Sequence, residues 1–319
     1  MTNKERYIEW ADQQDFMPVF LRPWWLDAVC AGKEWDALLA TDDEGHIIGA
    51  MPYLLRKRLW FRFIVMPPFT PTGGIWVNAD TTADRWVTAE VCRQIKEQLD
   101  AMHLAYYYQQ YLPGSLCVEA LRALGFSAHQ RVTYRVDDLS DLDRLINSFS
   151  KNKKRQLQKA LSLQVDRNMS IEDFYRFHCQ CMDHRKRKIS YTREFLLVLE
   201  RKARRNKQCC VLCVRNADGQ PYAAAFLVWD EHYLYYLIPA LDYAFNDSGA
   251  GALLALEAMK LAREKHVHFD FDGSMIRSVA KHYQQFGSTP VTYYSVERFY
   301  KPIFRLALWW QHLREWRFR

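Results

Sequence analysis

The sequence predicts a mixed α/β fold, with helices on the faces of mixed β-sheet, built as two similar halves of one chain. Three observations carry this. The 319 residues amount to about two domains at roughly 150 residues each. The pattern of apolar strand, acidic glycine turn and second apolar strand occurs twice, over Ala37–Leu55 around Asp42-Asp43-Glu44-Gly45 and over Val211–Trp229 around Asn216-Ala217-Asp218-Gly219. The same order of elements follows each hairpin, and duplication of a whole domain explains a repeat this long better than a solenoid does.

In the first half the hairpin is followed by further strand and then by a helical stretch over about Thr82–Met102. In the second, the apolar strand Tyr233–Leu241 leads to a helix over about Ser248–Lys265, where Leu253, Leu256, Met259 and Leu261 stand near helical spacing. Each half then has a strand (Ala105–Tyr111; Val267–Phe271), a short helix, a Gly beside a Phe (Gly125-Phe126; Phe286-Gly287) and a final strand (Val132–Val136; Val291–Val296). A sheet with helices on its faces buries such elements. The expected domains are 1–143 and 144–319. Between the halves, Ser148–Ala160 reads as a helix on which Lys151, Arg155 and Lys159 fall at i, i+4 and i+8. That stripe is either a solvated face or a landing site for phosphates, which Arg and Lys pair with.

Composition narrows the class. With 49% hydrophobic residues and only 12 Gly and 11 Pro, the chain is neither collagen-like nor disordered. No run approaches the length of a membrane-spanning helix, and Met1-Thr2-Asn3-Lys4-Glu5-Arg6 carries charge where a signal peptide is apolar, so a cytoplasmic location is expected. Eight Cys without a regular framework read as reduced thiols in apolar segments.

Two motifs carry chemistry. Asn246-Asp247-Ser248-Gly249-Ala250-Gly251 lies between a strand and a helix. Glycines there let backbone approach a ligand, and the amides of a first helical turn attract anions; a Ser-capped helix with small residues reads the same way. The second is Phe269-Asp270-Phe271-Asp272-Gly273-Ser274, then Met275–Gly287 ending in Phe286-Gly287, then Thr289–Val296. Alternation on a strand would put Asp270 and Asp272 on one face and Phe269 and Phe271 on the other. The two acids are then either a general base and its neighbour or strand-end caps and ion-pair partners.

The second motif resembles the C-terminal signature of the FemAB-like branch of the GNAT acyltransferase superfamily, whose members carry two GNAT-like domains in tandem, and Ser148–Ala160 is similar to the basic helix that opens that family's second domain. The glycine turn is similar to the superfamily's Arg/Gln-x-x-Gly-x-Gly/Ala cradle, with Asn246 at the Arg/Gln position. The resemblance implies transfer of an acyl or aminoacyl group from an activated donor to an amine. Acyl-CoA is the favoured co-substrate, aminoacyl-tRNA acting on a peptidoglycan precursor is the alternative, and no permanently bound cofactor is implied. It also implies that the donor's diphosphate meets Asn246, Ser248, Gly249, Ala250 and Gly251, that its arm runs along Ile238 and Ala240 like an added strand, and that the first domain helps to hold the acceptor. Tyr283 stands where the peptidoglycan-bridging enzymes have a charge-stabilising Lys, and Lys281 lies two residues before it. The catalytic candidates are therefore Asp270, Asp272, Tyr283 and Lys281, and the substrate-binding candidates are Lys151, Arg155, Thr70 in the loop Met66–Gly74, and Trp24 in the aromatic segment Arg22–Trp25. A non-catalytic module binding a phosphorylated ligand or nucleic acid is the other class considered.

His178, Cys181 and His184 are better read as a packed helix than as a zinc site, because i, i+3 and i+6 drift across more than one face. Phe304–Arg319 reads as a final helix packed on its own domain with a basic rim, or as one lying on an anionic membrane surface.

Overall fold

The computed structural model describes residues 1–30, 35–78, 84–273 and 275–305. The expected C-terminal helix falls almost wholly outside them, as does Ser274. The chain forms two compact units, one of Met1–Arg131 with Thr292–Arg319 and one of Val132–Val291.

Unit 1 opens with α1 (Asn3–Asp12), capped by a Thr2/Glu5 capping box, and α2 (Pro23–Val29), started by a proline that fixes φ where no N–H is needed. The predicted hairpin is β1 (Trp35–Thr41) and β2 (Ile47–Arg58); β3 (Phe61–Val65) and the two-residue β4 (Trp76–Val77) extend it. Then come α3 (Arg85–Ala101), β5 (Tyr106–Tyr111), α4 (Cys117–Ala123) and the start of β6 (Ser127–Val136). The strand order is β1-β2-β3-β5, completed by β12 (Thr289–Phe299), which runs antiparallel to β5 from Tyr294–Tyr111 to Phe299–Tyr106. Val91, Ile95 and Leu99 of α3 pack under it with Leu38, Met51 and Ile64.

Unit 2 holds α5 (Leu142–Ser148), α6 (Lys151–Lys159), β7 (Gln164–Asp166), α7 (Ile171–His184), α8 (Arg193–Arg205), β8 (Cys209–Arg215), β9 (Pro221–Trp229), β10 (Tyr233–Leu241), α9 (Ala250–Glu264), β11 (His268–Asp270) and α10 (Arg277–Gln284). Its order is β6-β11-β10-β9-β8-β7. The alanine-rich face of α9 lies on β8 and β9, where Ala223 and Ala225 keep the sheet surface low enough for close approach.

The hairpins, the long helices and all four late strands stand where the repeat puts them. The compact units differ from the expected domains 1–143 and 144–319, and the reason is specific. The last strand of the first half, β6, contributes Tyr134–Val136 to unit 2 against β11, whereas the last strand of the second half, β12, completes unit 1. A repeat fixes the order of strands along the chain, not which copy each final strand pairs with.

Candidate active site

The site is built where β10 and β11 part. Parallel pairing joins Tyr233, Leu234 and Tyr235 to His268, Phe269 and Asp270 and then stops, because β11 ends. β10 continues to Leu241, so Tyr236–Leu241 have no strand beside them on that edge among the described residues. On the other edge the ladder to β9 slips register between Tyr235 and Ile238. Such a bulge bends the strand and re-aims its peptide groups. Ile238 and Ala240, the residues expected along a donor arm, lie on this stretch, buried and paired with Phe226 and Ala224.

Beside this opening, Tyr283 of α10 stacks on Phe271 at 4.3 Å, and Tyr236 meets Phe271 edge-on at 5.9 Å. Phe269 and Phe271 are buried, as the alternation requires. Asp270, on the opposite face, is fully engaged: it accepts from the Thr133 hydroxyl, from Arg135 Nε at 2.8 Å and from the Asp272 N–H at 2.9 Å. Arg135 also donates to the Tyr233 hydroxyl at 3.1 Å and lies over its ring. Burial pushes the Asp270 carboxyl up while Arg135 pulls it down. The ion-pair reading of Asp270 is the one its geometry favours.

Asp272 is placed differently from the expectation of a shared strand face. The strand has ended at Asp270, and Asp272 and Gly273 are both left-handed, with φ of 61° and 65°. Alternation does not carry through such a turn. Gly273 is required there because a Cβ would lie 2.9 Å from the Val132 carbonyl oxygen. The half-buried Asp272 carboxylate accepts no hydrogen bond among the described residues; burial, and then the Asp270 charge, hold it well above the usual carboxylate range. Burial first, and then these two acids, push the Tyr283 phenol up, so it keeps its proton and remains a donor at neutral pH.

Sequence reasoning missed Lys153. Lys151 and Arg155, the expected phosphate ligands, are exposed on the outer side of α6, and Lys281 is exposed on α10. Lys153 points inward instead, only 2% exposed, with Nζ 2.9 Å from Gln156 Oε1, 3.2 Å from His282 Nδ1 and 4.6 Å from the Phe286 ring centre. With no carboxylate paired to it among the described residues, desolvation lowers its pKa to about 8; desolvation, and then the Lys153 charge, bring His282 down to about 4. The signal was in the sequence: Lys153, Leu157 and Ala160 fall at i, i+4 and i+7, the inward stripe of a helix.

At the glycine turn, a 3-10 segment Tyr243–Ser248 runs into α9. Asn246 is exposed; the Ser248 hydroxyl donates to the Phe245 carbonyl and accepts the Ala250 N–H at 3.2 Å. Gly249, with φ of 82°, lies so close to the Gln156 carbonyl of α6 that a Cβ would collide with it, whereas a Cβ on Gly251 would meet only Leu241 methyls at 3.5 Å. The close approach that Gly249 permits is made by the chain's own helix.

In unit 1, Thr70 is buried, accepting from Trp25 Nε1 at 3.0 Å and donating to the Pro68 carbonyl, and Trp24 packs edge-on against Trp25 at 5.7 Å. Both are held in packing of their own unit. On α7, His178 bonds Tyr191 and His184 bonds Asp242, while Cys181 is buried; among the described residues no group of three or more His, Cys, Asp or Glu is arranged to hold a metal. No described helix is long and apolar enough to cross a membrane.

Comparison with known proteins gives the following. The acetyltransferase (GNAT) domain family matches residues 120–284, just over half of the chain. No curated protein matches. Among solved structures, FemX is 14% identical with a TM-score of 0.70, over 92% of this chain and 96% of that one. A tandem GNAT protein from the clavulanic acid biosynthesis pathway is 11% identical with a TM-score of 0.55, over 93% and 95%. L-PGS from Bacillus licheniformis is 9% identical with a TM-score of 0.56, over 92% and 91%. At these identities the likeness is one of fold, and it runs nearly the full length of the chain.

Proposed function

The chain belongs to the acetyltransferase (GNAT) domain family and is a transferase, and on that premise we propose that unit 2 moves an acyl group from a thioester or ester donor to an amine. One observation carries the proposal: β10 parts from β11 beside an acid that no described residue bonds and a phenol that keeps its proton.

The open edge of Tyr236–Leu241 takes the extended arm of the donor by main-chain hydrogen bonds, as an added strand. The amine nitrogen attacks the donor carbonyl carbon and gives its proton to Asp272. The oxyanion is met by peptide N–H groups at the bulge after Tyr235. As the tetrahedral centre collapses, the carbon–sulfur or carbon–oxygen bond to the carrier breaks and the carrier takes the Tyr283 proton; exchange with solvent then resets both side chains. Asp270 fixes the Asp272 N–H and supplies the negative neighbour that keeps Asp272 basic.

Acyl-CoA is the donor we put first, since GNAT domains use it. Aminoacyl-tRNA is a second reading, supported by Gln156 pressing on Gly249 and Ser248 engaging the Ala250 N–H, which leave less of the α9 terminus for a diphosphate. The acceptor class is an amine, that of a peptidoglycan precursor included. Thermal shift and transfer assays with acetyl-CoA, a long-chain acyl-CoA and charged tRNA test both readings: one donor class raises Tm and is consumed, and Asp272→Asn keeps the Tm shift but loses transfer. Absence of stabilisation by every donor, together with binding of unrelated polyanions, overturns the reading in favour of a binding module.

A further inference from the structure

We propose that the β2–β3 hairpin of unit 1, with the segment that follows β12, is a docking surface for anionic phospholipid membrane. The hairpin turn presents Leu59 and Trp60 to solvent, 78% and 76% exposed. Leu59 has a left-handed φ of 54°, uncommon for a branched apolar residue. The Trp60 ring continues into Phe61 at 5.7 Å, and Phe61 into Phe304 at 5.5 Å, so the segment Lys301–Arg305 is fastened to the same side of unit 1, its Ile303 62% exposed.

Around this apolar tip stand Arg56, Lys57, Arg58, Arg62, Lys301 and Arg305, and the stretches 55–63 and 299–305 contain no acidic residue. None of these cations makes an ion pair among the described residues; Lys301 and Arg305 lie over the Phe61 and Phe299 rings instead. Lys57 and Arg62 are directly opposite each other on the two strands. Like charges so placed repel, a cost that an anionic surface relieves. An apolar tip ringed by unpaired cations has the complementarity that a bilayer interface with negative headgroups offers: aliphatic and indole groups enter the acyl boundary while the cations meet phosphates. Nucleic acid would reward stacking of Trp60 and the charges, but it offers exposed Leu59 and Ile303 nothing. The surface shares no residue with the transfer site proposed in unit 2, so acyl transfer to a soluble amine does not depend on it.

The full-length protein is sedimented with vesicles of phosphatidylcholine containing about a third phosphatidylglycerol, with pure phosphatidylcholine vesicles and with tRNA in parallel. Binding to the anionic vesicles, at least tenfold weaker to the neutral ones and weakened by salt, is expected. Leu59→Ser/Trp60→Ser reduces that binding at least tenfold, and Lys57→Gln/Arg58→Gln reduces it about fivefold per charge. Both pairs sit at an exposed turn and leave Tm and transfer to a soluble amine unchanged. Vesicle binding equal in wild type and both variants places any membrane contact outside this hairpin and overturns the proposal. So does the lack of any vesicle binding, and so does preferential binding of tRNA that the same substitutions abolish.

Discussion

The two units carry the same strand plan, yet one is sealed where the other is open. In unit 1, β3 pairs in parallel with β5 through Phe63–Tyr106 and Ile64–Tyr107, and the chain then departs into Met66–Thr72. It returns at Gly73, whose N–H donates to the Gln110 carbonyl at 2.6 Å, and the Gly74 N–H donates to Gln109 Oε1 at 2.6 Å. Gly74, with φ of 82°, lies against the Tyr111 ring, where a Cβ would come within 2.6 Å. In unit 2 no strand returns beside Tyr236–Leu241 among the described residues. The turns after the inner strands differ too: Pro113-Gly114 follows β5 where Asp272-Gly273 follows β11, both glycines having positive φ. A duplicated scaffold thus has one copy whose gap is packed shut beside a proline and another whose gap stands beside an acid.

Replacing that acid tests the contrast most severely. Asp272→Asn is expected to lower kcat about 10²–10⁴-fold, the usual weight of a general base. In the wild type, kcat/KM falls as pH drops through a pKa above the ordinary aspartate range, because the base must be unprotonated. The stability sign is opposite. A carboxyl whose folded pKa is raised contributes most at low pH, and that contribution is lost as pH rises from its unfolded to its folded value. At neutral pH the charge therefore opposes folding, and asparagine, which also tolerates φ of 61°, is expected to raise Tm by about 2 °C or more. An inactive variant with a lowered Tm would make Asp272 a structural residue and erase the functional difference between the units.

The glycine turn gives the next largest effect. Gly249→Ala combines a strained left-handed φ with a collision against the Gln156 carbonyl, and a loss of about 4 kcal/mol in denaturant unfolding is expected. Gly251→Ala, with room beside Leu241, changes stability by at most about 1 kcal/mol, in the favourable direction, as a helix-interior glycine replaced by alanine should. If Gly251→Ala instead raises KM for acyl-CoA at unchanged Tm, the diphosphate lies at α9. If aminoacyl-tRNA remains the better donor and KM is unmoved, the contact with α6 is the reason for the motif.

These residues also mark how far the sequence was legible. β10 was readable to its ends, because an apolar run with β-branched and aromatic residues between Asp230 and Asp242 has one plausible conformation. The Phe269–Gly273 motif located the acids, but alternation misplaced Asp272, since a left-handed residue at a strand end has no pattern of its own to announce it. On α6, charge drew attention to Lys151 and Arg155, whereas burial chose Lys153, and burial depends on Phe286 and His282, more than 120 residues away in sequence. The exchange of final strands was invisible for the same reason: pairing is long-range, and both copies offer a similar partner.

Lys153 should be readable as a pH signature of unit 2. An amine with a lowered pKa penalises folding fully below about pH 8 and is relieved as pH rises toward its unfolded value near 10.5. The stability of the wild type relative to Lys153→Met should rise across that window, and the variant should gain up to about 3 kcal/mol at pH 7, less whatever the hydrogen bonds to Gln156 and His282 contribute. A variant less stable than wild type at pH 7 would mean that the lysine meets a negative partner, a bound anion included, and would move the charged chemistry of this unit toward α6.

The last substitution probes the seal itself. Gln109 is 1% exposed, so Gln109→Leu leaves the buried Gly74 N–H without its acceptor at a cost of about 1–3 kcal/mol. Hydrogen exchange at Gly74 should quicken while Phe63–Tyr106 pairing holds, because the returning segment loses one of its two fastenings and keeps the Gly73 N–H bond to the Gln110 carbonyl. That would loosen the seal of unit 1 toward the parted strands of unit 2, but with Pro113 beside the gap. No donor should gain affinity for this variant if the acid, and not the opening alone, makes a site. Donor binding gained on opening unit 1 would instead mean that strand separation suffices, and that the loop Met66–Thr72 silences a second copy.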